Sequence, residues 1–313
     1  MPENAHIAAL GATPRQVAQS PWGPDDELGM LNLITPESRA RVMAEADFTK
    51  VFDLAVDFFV GMPSVQFTGD PGFNIWMSHT PHGQAIEQPE QPFNWHELGY
   101  SGDCLTMYTH TGTHIDALNH FGYRGEIWNG FHEREHLAAR TWTVCGVDRQ
   151  PPIIARGILL DIAGLHGVDV LPDSYAIGAA DIARALREHR VELRRGDVVL
   201  LRTGSMRYWP DAERFMPDEP GIDRGGAEVL ARAGAIVIGA DNMALEVSPS
   251  REDIGLPVHA YLFAEAGVPI LEIANLEELA AEQVYEFAFV AAPLKLRGAT
   301  AAPLQPIAMP LRR

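Results

Sequence analysis

Cysteine is scarce in this chain, and so is positive charge. Among 313 residues only two are cysteines, Cys104 and Cys145. Two thiols build no disulfide framework, and without a C-x-x-C pair they build no cysteine-based zinc site, so a reduced, cytoplasmic protein is the expectation. Lys and Arg total 24 against 42 Asp and Glu, a net charge of −18. A surface this acidic repels phosphate backbones and anionic lipid, and no run of Lys or Arg relieves it, which argues against nucleic-acid and membrane partners. Long apolar runs are missing too. The longest, around Ala235–Ala240 and Phe287–Ala292, have strand length, well short of the ~18 residues of a membrane helix. The start, MPENAHIAALGATPRQ, lacks the basic and apolar regions of a secretion signal. No G-x-G-x-x-G, no phosphate-loop Gly-Lys-Ser/Thr and no G-x-S-x-G pattern occurs, which leaves nucleotide cofactors and a serine nucleophile elbow without support.

What is present is an ordinary globular share of hydrophobic residues, 46%. No composition break marks a boundary, so residues 1–313 read as one domain, with 1–45 as an N-terminal arm and helix. The first ~20 residues are small and polar and read as a loose arm. Thr35-Pro36-Glu37 reads as a helix start, with Thr as cap, Pro in the first position and Glu at the positive end. Val51–Phe59 is rich in β-branched and aromatic residues and reads as a strand. Residues Gly61 to Gly102, full of Pro, Gly, Asn and Gln, read as long loops. Beyond them strands (Gly157–Ile162, Asp197–Thr203, Ala235–Ala240, Pro269–Ile273, Tyr285–Ala291) alternate with helices (Ala180–His189, Gly225–Ala233, Pro257–Ala266, Leu276–Gln283), the last preceded by a capping-box pattern at Asn275. This alternation predicts an α/β class, while the loop-rich first half argues against a simple doubly wound sheet.

The chemistry concentrates in the histidines. Of 12, five fall between positions 110 and 136. In His110-Thr111-Gly112-Thr113-His114-Ile115-Asp116-Ala117-Leu118-Asn119-His120, the three imidazoles and the carboxylate occupy even positions, which share one face of an extended chain. A straight strand would hold positions 110 and 114 ~13 Å apart at ~3.3 Å per residue, too far to share one ion at bond lengths of ~2 Å. The chain must therefore bend between them, and Gly112 is where a bend costs least. Burying such groups together is expensive unless something pairs them, and a divalent cation does so.

The same run resembles the H-x-G-T-H-x-D-x-P-x-H signature of the metal-dependent hydrolases of the cyclase family, which includes bacterial kynurenine formamidase and isatin hydrolase. Leu118 stands where the signature often has Pro. Pro257-Val258-His259 followed by Gly267-Val268-Pro269-Ile270-Leu271-Glu272 resembles the family's second motif. Pro293–Thr300 resembles its closing segment, and Pro21–Gly29 the opening of its longer members. The resemblance implies a three-layer β/β/α swivelling-domain architecture with mixed sheets, and an oligomer, dimer or tetramer. It implies hydrolysis of the C–N bond of an amide or lactam, or of an ester or lactone, in a small cyclic or aromatic substrate by metal-activated water. Carried over by position, His110, His114 and Asp116 would hold the metal, Zn²⁺ or Mn²⁺. Asp116 would bridge to a second ion on His259 and Glu272 in binuclear members, and His120 and Glu272 would be catalytic, His120 as acid and base.

Trp76, Trp95, Phe121 and Tyr123 flank these motifs and are candidates for the substrate pocket. Two other readings stay open. One is a non-catalytic, metal-stabilised module that binds a small ligand. The other is a zinc protease, since His132-Glu133-Arg134-Glu135-His136 spells H-E-x-x-H; its Arg134 and Glu135 are poor interior residues, and Leu137–Val147 offers neither His, Asp nor Glu as a third ligand.

Overall fold

The computed structural model describes residues 15–65, 69–87 and 97–312. Trp95, a candidate pocket residue, lies outside the described residues, as does most of the predicted arm.

Among the described residues, nine strands form one mixed sheet. In chain order they are β1 (Phe52–Asp53), β2 (His114–Asp116), β3 (Ile153–Asp161), β4 (Val198–Arg202), β5 (Val237–Ala240), β6 (Ile270–Glu272), β7 (Glu286–Ala291), β8 (Ala301–Pro303) and β9 (Ile307–Pro310). Across the sheet they run β1-β9-β7-β3-β4-β5-β6-β2-β8. The middle four, β3 to β6, are parallel; the strands on either side pair antiparallel. The parallel strands are apolar but for Arg156, Asp161, Arg202 and Glu272, and every residue of β4 and of β5 is buried. That is the composition of strands covered on both faces, and it made them legible as short hydrophobic runs. This is the α/β class expected from the alternation.

The helices form where the sequence places them. Thr35 caps α1 (Pro36–Glu45) through a reciprocal pair with Ser38. The amphipathic helices α2 (Ala179–His189) and α3 (Arg224–Ala233) bury Ile182 and Ala185, and Ala227, Leu230 and Ala231, and pack on each other. The predicted helix 257–266 begins as α4 (Pro257–Ala260) but continues as a π-helix over Tyr261–Ala266. No helix among the described residues is long and apolar enough to cross a membrane.

Four local expectations need correction. Only Phe52 and Asp53 of the predicted strand 51–59 join the ladder. The Leu54 amide still donates to Pro306 O at 2.9 Å, but Pro306 has no N–H to return, and the Val56 amide turns instead to Thr113 Oγ1 at 2.9 Å. The stretch 61–102 is not all loop: Asn74–His79 pairs with Gly102–Thr106 as a ribbon, and Pro81–Glu87 is helical. Every residue of Asn74–His79 is exposed, so no buried face imposed an alternation that could be read. The N-terminal segment is pinned from residue 15 on, with Ala18 buried and its amide donating to Ala264 O at 2.9 Å. Asn275 does not cap its helix; the cap position is Leu276, and Asn275 Oδ1 accepts only from the Glu277 amide at 3.3 Å.

The bend demanded of the histidine run is real. Gly112 has φ +62°, and a Cβ there would lie 2.5 Å from Phe58 Cζ. Both the left-handed backbone and the aromatic ring exclude a side chain. Gly112→Ala is expected to lower the unfolding free energy by about 1–3 kcal/mol, read as a lower urea midpoint at unchanged slope. An unchanged midpoint would show that the bend does not need glycine.

Candidate metal centre

Strand register builds the centre. His114 and Asp116 are two residues apart on β2 and share its face, while Ile115 between them points into the core. β2 lies between β6 and β8, with His114 directly opposite Glu272 on one side and Asp116 opposite Ala301 on the other. Directly opposed residues are the closest side-chain neighbours a sheet provides, so Glu272 meets His114 as a consequence of pairing. After β2 the chain turns tightly, the His120 amide donating to Ala117 O at 3.0 Å, and this returns His120 over Asp116. Leu118, the departure from the signature, is buried in the core.

The donor atoms converge. Asp116 Oδ1 lies 2.8 Å from His110 Nδ1 and 3.3 Å from His114 Nε2, and Oδ2 lies 3.8 Å from His120 Nε2. Glu272 reaches His114 Nε2 at 3.1 Å with Oε2 and His259 Nε2 at 3.2 Å with Oε1. Two sets of three result, His110–Asp116–His120 and His114–Asp116–Glu272, each with one donor atom per residue within 4.8 Å of the others, and Asp116 common to both. The other nitrogens are anchored. His114 Nδ1 donates to Gly112 O at 2.8 Å, which fixes Nε2 as the atom facing the carboxylates. His259 Nδ1 is 2.6 Å from Glu246 Oε1, and His110 Nε2 is 2.9 Å from Thr300 Oγ1.

The residues fit a cation. His114 Nε2, both oxygens of Asp116 and Glu272 Oε1 are buried and have no hydrogen-bond partner. Four such atoms turned toward one another are costly as they stand, whereas imidazole and carboxylate donors at these spacings suit Zn²⁺ or Mn²⁺. The electrostatics agree. Burial opposes ionisation of Asp116, but the surrounding imidazoles, His110 foremost, outweigh it and hold the carboxyl well below its usual range. Burial likewise opposes charge on His114, yet the close approach of the Asp116 and Glu272 carboxylates pushes it up to about 10. His259 is pushed up to about 10 against its burial by Glu246 and Glu272. A field that attracts protons so strongly attracts any cation. His120 differs: burial, reinforced by the His110 and His259 rings, drives it well below its usual value despite Asp116, so its imidazole is neutral.

The centre opens into a cavity of about 360 Å³. His110, His120, His259 and Glu272 line it, with Tyr108, Phe121 and the apolar side chains of Val65, Met216, Met243 and Leu256. The cavity sits past the carboxyl ends of β5 and β6, where ligands gather in parallel sheets. Of the candidate pocket aromatics, Phe121 lines the cavity, and its ring lies 5.2 Å from that of His259. Tyr123 does not; its hydroxyl donates to Glu265 Oε1 at 2.8 Å, on a carboxylate also held by Arg224. Trp76 does not either, standing half exposed on the ribbon. Both were chosen for closeness in sequence, which the folding of the intervening loops undoes.

The H-E-x-x-H segment forms no second centre. Its helix is a single turn, Glu133–His136, with no buried residue, and His132 precedes it as the cap, accepting the Arg134 amide at 3.1 Å. Sequence reading missed Glu246, Glu219, Tyr108 and Thr300. Glu246 also accepts the amides of Val258 and His259, yet it lies 13 positions before His259 on a loop, where no spacing rule points to it.

The Cyclase family model matches residues 52–247. No curated protein matches. A crystal structure described as a novel cyclase is 31% identical, covering 94% of this chain and 97% of that one at a TM-score of 0.84. Isatin hydrolase A from Ralstonia solanacearum is 20% identical over 83% of this chain and 92% of its own, with a TM-score of 0.62. A predicted metal-dependent hydrolase from Bacillus stearothermophilus is 24% identical over 83% and 97%, with a TM-score of 0.53. At these lower identities the likeness is one of fold. The signature run, the model match and the 31% identical relative converge: this chain belongs to the Cyclase family.

Proposed function

We propose that this chain is a metal-dependent hydrolase that cleaves the C–N bond of an amide or lactam, or the ester bond of a lactone or related compound, in a small cyclic or aromatic substrate. The observation that carries this reading is the set of buried, unpartnered donor atoms around Asp116 at the wall of an apolar cavity. His114, Asp116 and Glu272 would hold one Zn²⁺ or Mn²⁺, and His110 and His259 stand ready to extend the set toward a second. The bound ion supplies Lewis acidity toward a carbonyl oxygen and makes water more acidic.

The chain's own groups do the rest. His120, neutral and on the cavity wall, can accept a proton from water and return it to the leaving nitrogen or oxygen. Its ring is held against that of His110, with centroids 3.9 Å apart, so the proton acceptor has a defined position. Glu272 stays ionised, since His114 and His259 overcome both its burial and its repulsion from Asp116. Val65, Met216, Met243, Leu256 and Phe121 offer flat apolar contact and exclude water, which suits a ring better than a flexible polar chain. Support for hydrolysis also comes from the fold shared with isatin hydrolase and with the metal-dependent hydrolase from Bacillus stearothermophilus.

Replacing His114 with Ala should abolish stoichiometric metal retention after dialysis and, with it, hydrolysis of a panel of lactams, lactones and anilides assayed with Zn²⁺ or Mn²⁺. Full hydrolysis by the metal-stripped variant would refute the reading. His120→Asn should keep the ion on His114, Asp116 and Glu272 and slow turnover by roughly 10²–10⁴-fold. A variant that binds the ring compounds unchanged, where the wild-type protein turns none over, would instead mark a binding module.

A further inference from the structure

Glu219 is a buried acid that the hydrolytic machinery does not use. Its residue is 5% exposed, and it lines the cavity together with Met216, Met243 and Ala244. Only one of its oxygens is engaged. Oε2 accepts the Met243 amide at 2.6 Å and the Ala244 amide at 3.1 Å, both from the loop after β5. Its backbone is clamped as well, Glu219 O accepting the Ser248 amide at 3.0 Å. Oε1 has no hydrogen-bond partner among the described residues. Among the described residues no Lys or Arg lines this cavity, whereas Glu246 and Glu272 do.

We propose that Glu219 is a substrate-binding residue whose Oε1 carries the carboxyl proton and donates it in a hydrogen bond to an acceptor oxygen of the substrate, selecting ring compounds with a carbonyl in reach of that point. The placement of the proton follows from the geometry. Oε2 is committed as an acceptor to two amides, so a proton on this carboxyl belongs on Oε1. A carboxyl buried in an apolar wall with acidic neighbours favours its uncharged form. Burial, with repulsion from Glu272, pushes it up to about 8 against the two amides and His259. A neutral acid in an apolar pocket rejects a ligand that lacks the matching acceptor, because the O–H would then be left unpaired.

Two variants and two readouts test this, and only the second readout depends on the hydrolase reading. In Glu219→Gln, the amide oxygen can take both loop amides while the NH₂ replaces the O–H donor. Glu219→Leu removes the donor. Infrared difference spectra of the metal-loaded protein near neutral pH, wild type against Glu219→Gln, should show a protonated carboxyl band that the variant lacks. Absence of that band would mean an ionised Glu219 and would overturn the assignment. For a substrate turned over in the panel, Glu219→Leu should raise KM about tenfold with kcat changed less than about threefold, while Glu219→Gln stays within about threefold of wild type in both. An unchanged KM in Glu219→Leu, at equal metal content, would remove Glu219 from substrate binding, and a Glu219→Gln as impaired as Glu219→Leu would show that charge matters rather than the donated hydrogen. If no ring compound is hydrolysed at all, the hydrolase reading fails, and the carboxyl band still decides for or against the proton on Glu219.

Discussion

Asp116 is the constraint from which the centre is built. Its carboxylate is wholly buried, and an isolated charge in such a place costs several kcal/mol in effective terms. The cost is tolerable only because cationic or cation-seeking groups close around it: His110 at 2.8 Å, His114 at 3.3 Å and His120 at 3.8 Å. A second buried carboxylate, Glu272, opposes His114 across the strand pair. Two carboxylates sharing one imidazole would repel, so the arrangement is poised for more positive charge than protons on histidine conveniently supply.

The fold serves this concentration of charge. Parallel strands buried on both faces make a rigid floor, and the catalytic candidates stand at its margins: β2 as an antiparallel addition, β6 as the last parallel strand, and the loop after β5. Each of the three candidate imidazole ligands is braced through its other ring nitrogen. Gly112 O holds His114, Thr300 holds His110, and Glu246 holds His259. Such bracing fixes which ring nitrogen faces inward, which matters more to a donor set than the identity of the ligands alone. The N-terminal segment closes the far side of the π-helix, the Met30 amide donating to Gly267 O at 2.7 Å, so the element carrying His259 is held at both ends.

Much of this was legible beforehand, for physical reasons. His114 and Asp116 share a face because strand geometry alternates, and Gly112 had to bend because the spacing was too long for a straight chain. The parallel strands announced themselves as short, mostly apolar runs, and α1 by its cap. What was hidden depends on contacts distant in sequence. Nothing local tells that Glu272 will sit opposite His114 rather than one register away, nor that Glu246 will reach back to His259. The ribbon at Asn74–His79 was invisible because it buries nothing. Tyr123 and Trp76 misled because adjacency in sequence to the metal run says little about which way a loop leaves it. Glu219 carried no signal at all: an acid in a loop reads as solvated until the cavity around it is seen.

The decisive measurement is anomalous X-ray diffraction from crystals of the metal-replete protein, collected at the zinc and manganese edges. It should place an anomalous peak within ~2.0–2.2 Å of donor atoms of His114, Asp116 and Glu272, at the wall of the cavity that holds His120. A metal-replete crystal with no peak there, or with its only peak between His132 and His136, would contradict the reading of Asp116 as the anchor of a catalytic metal.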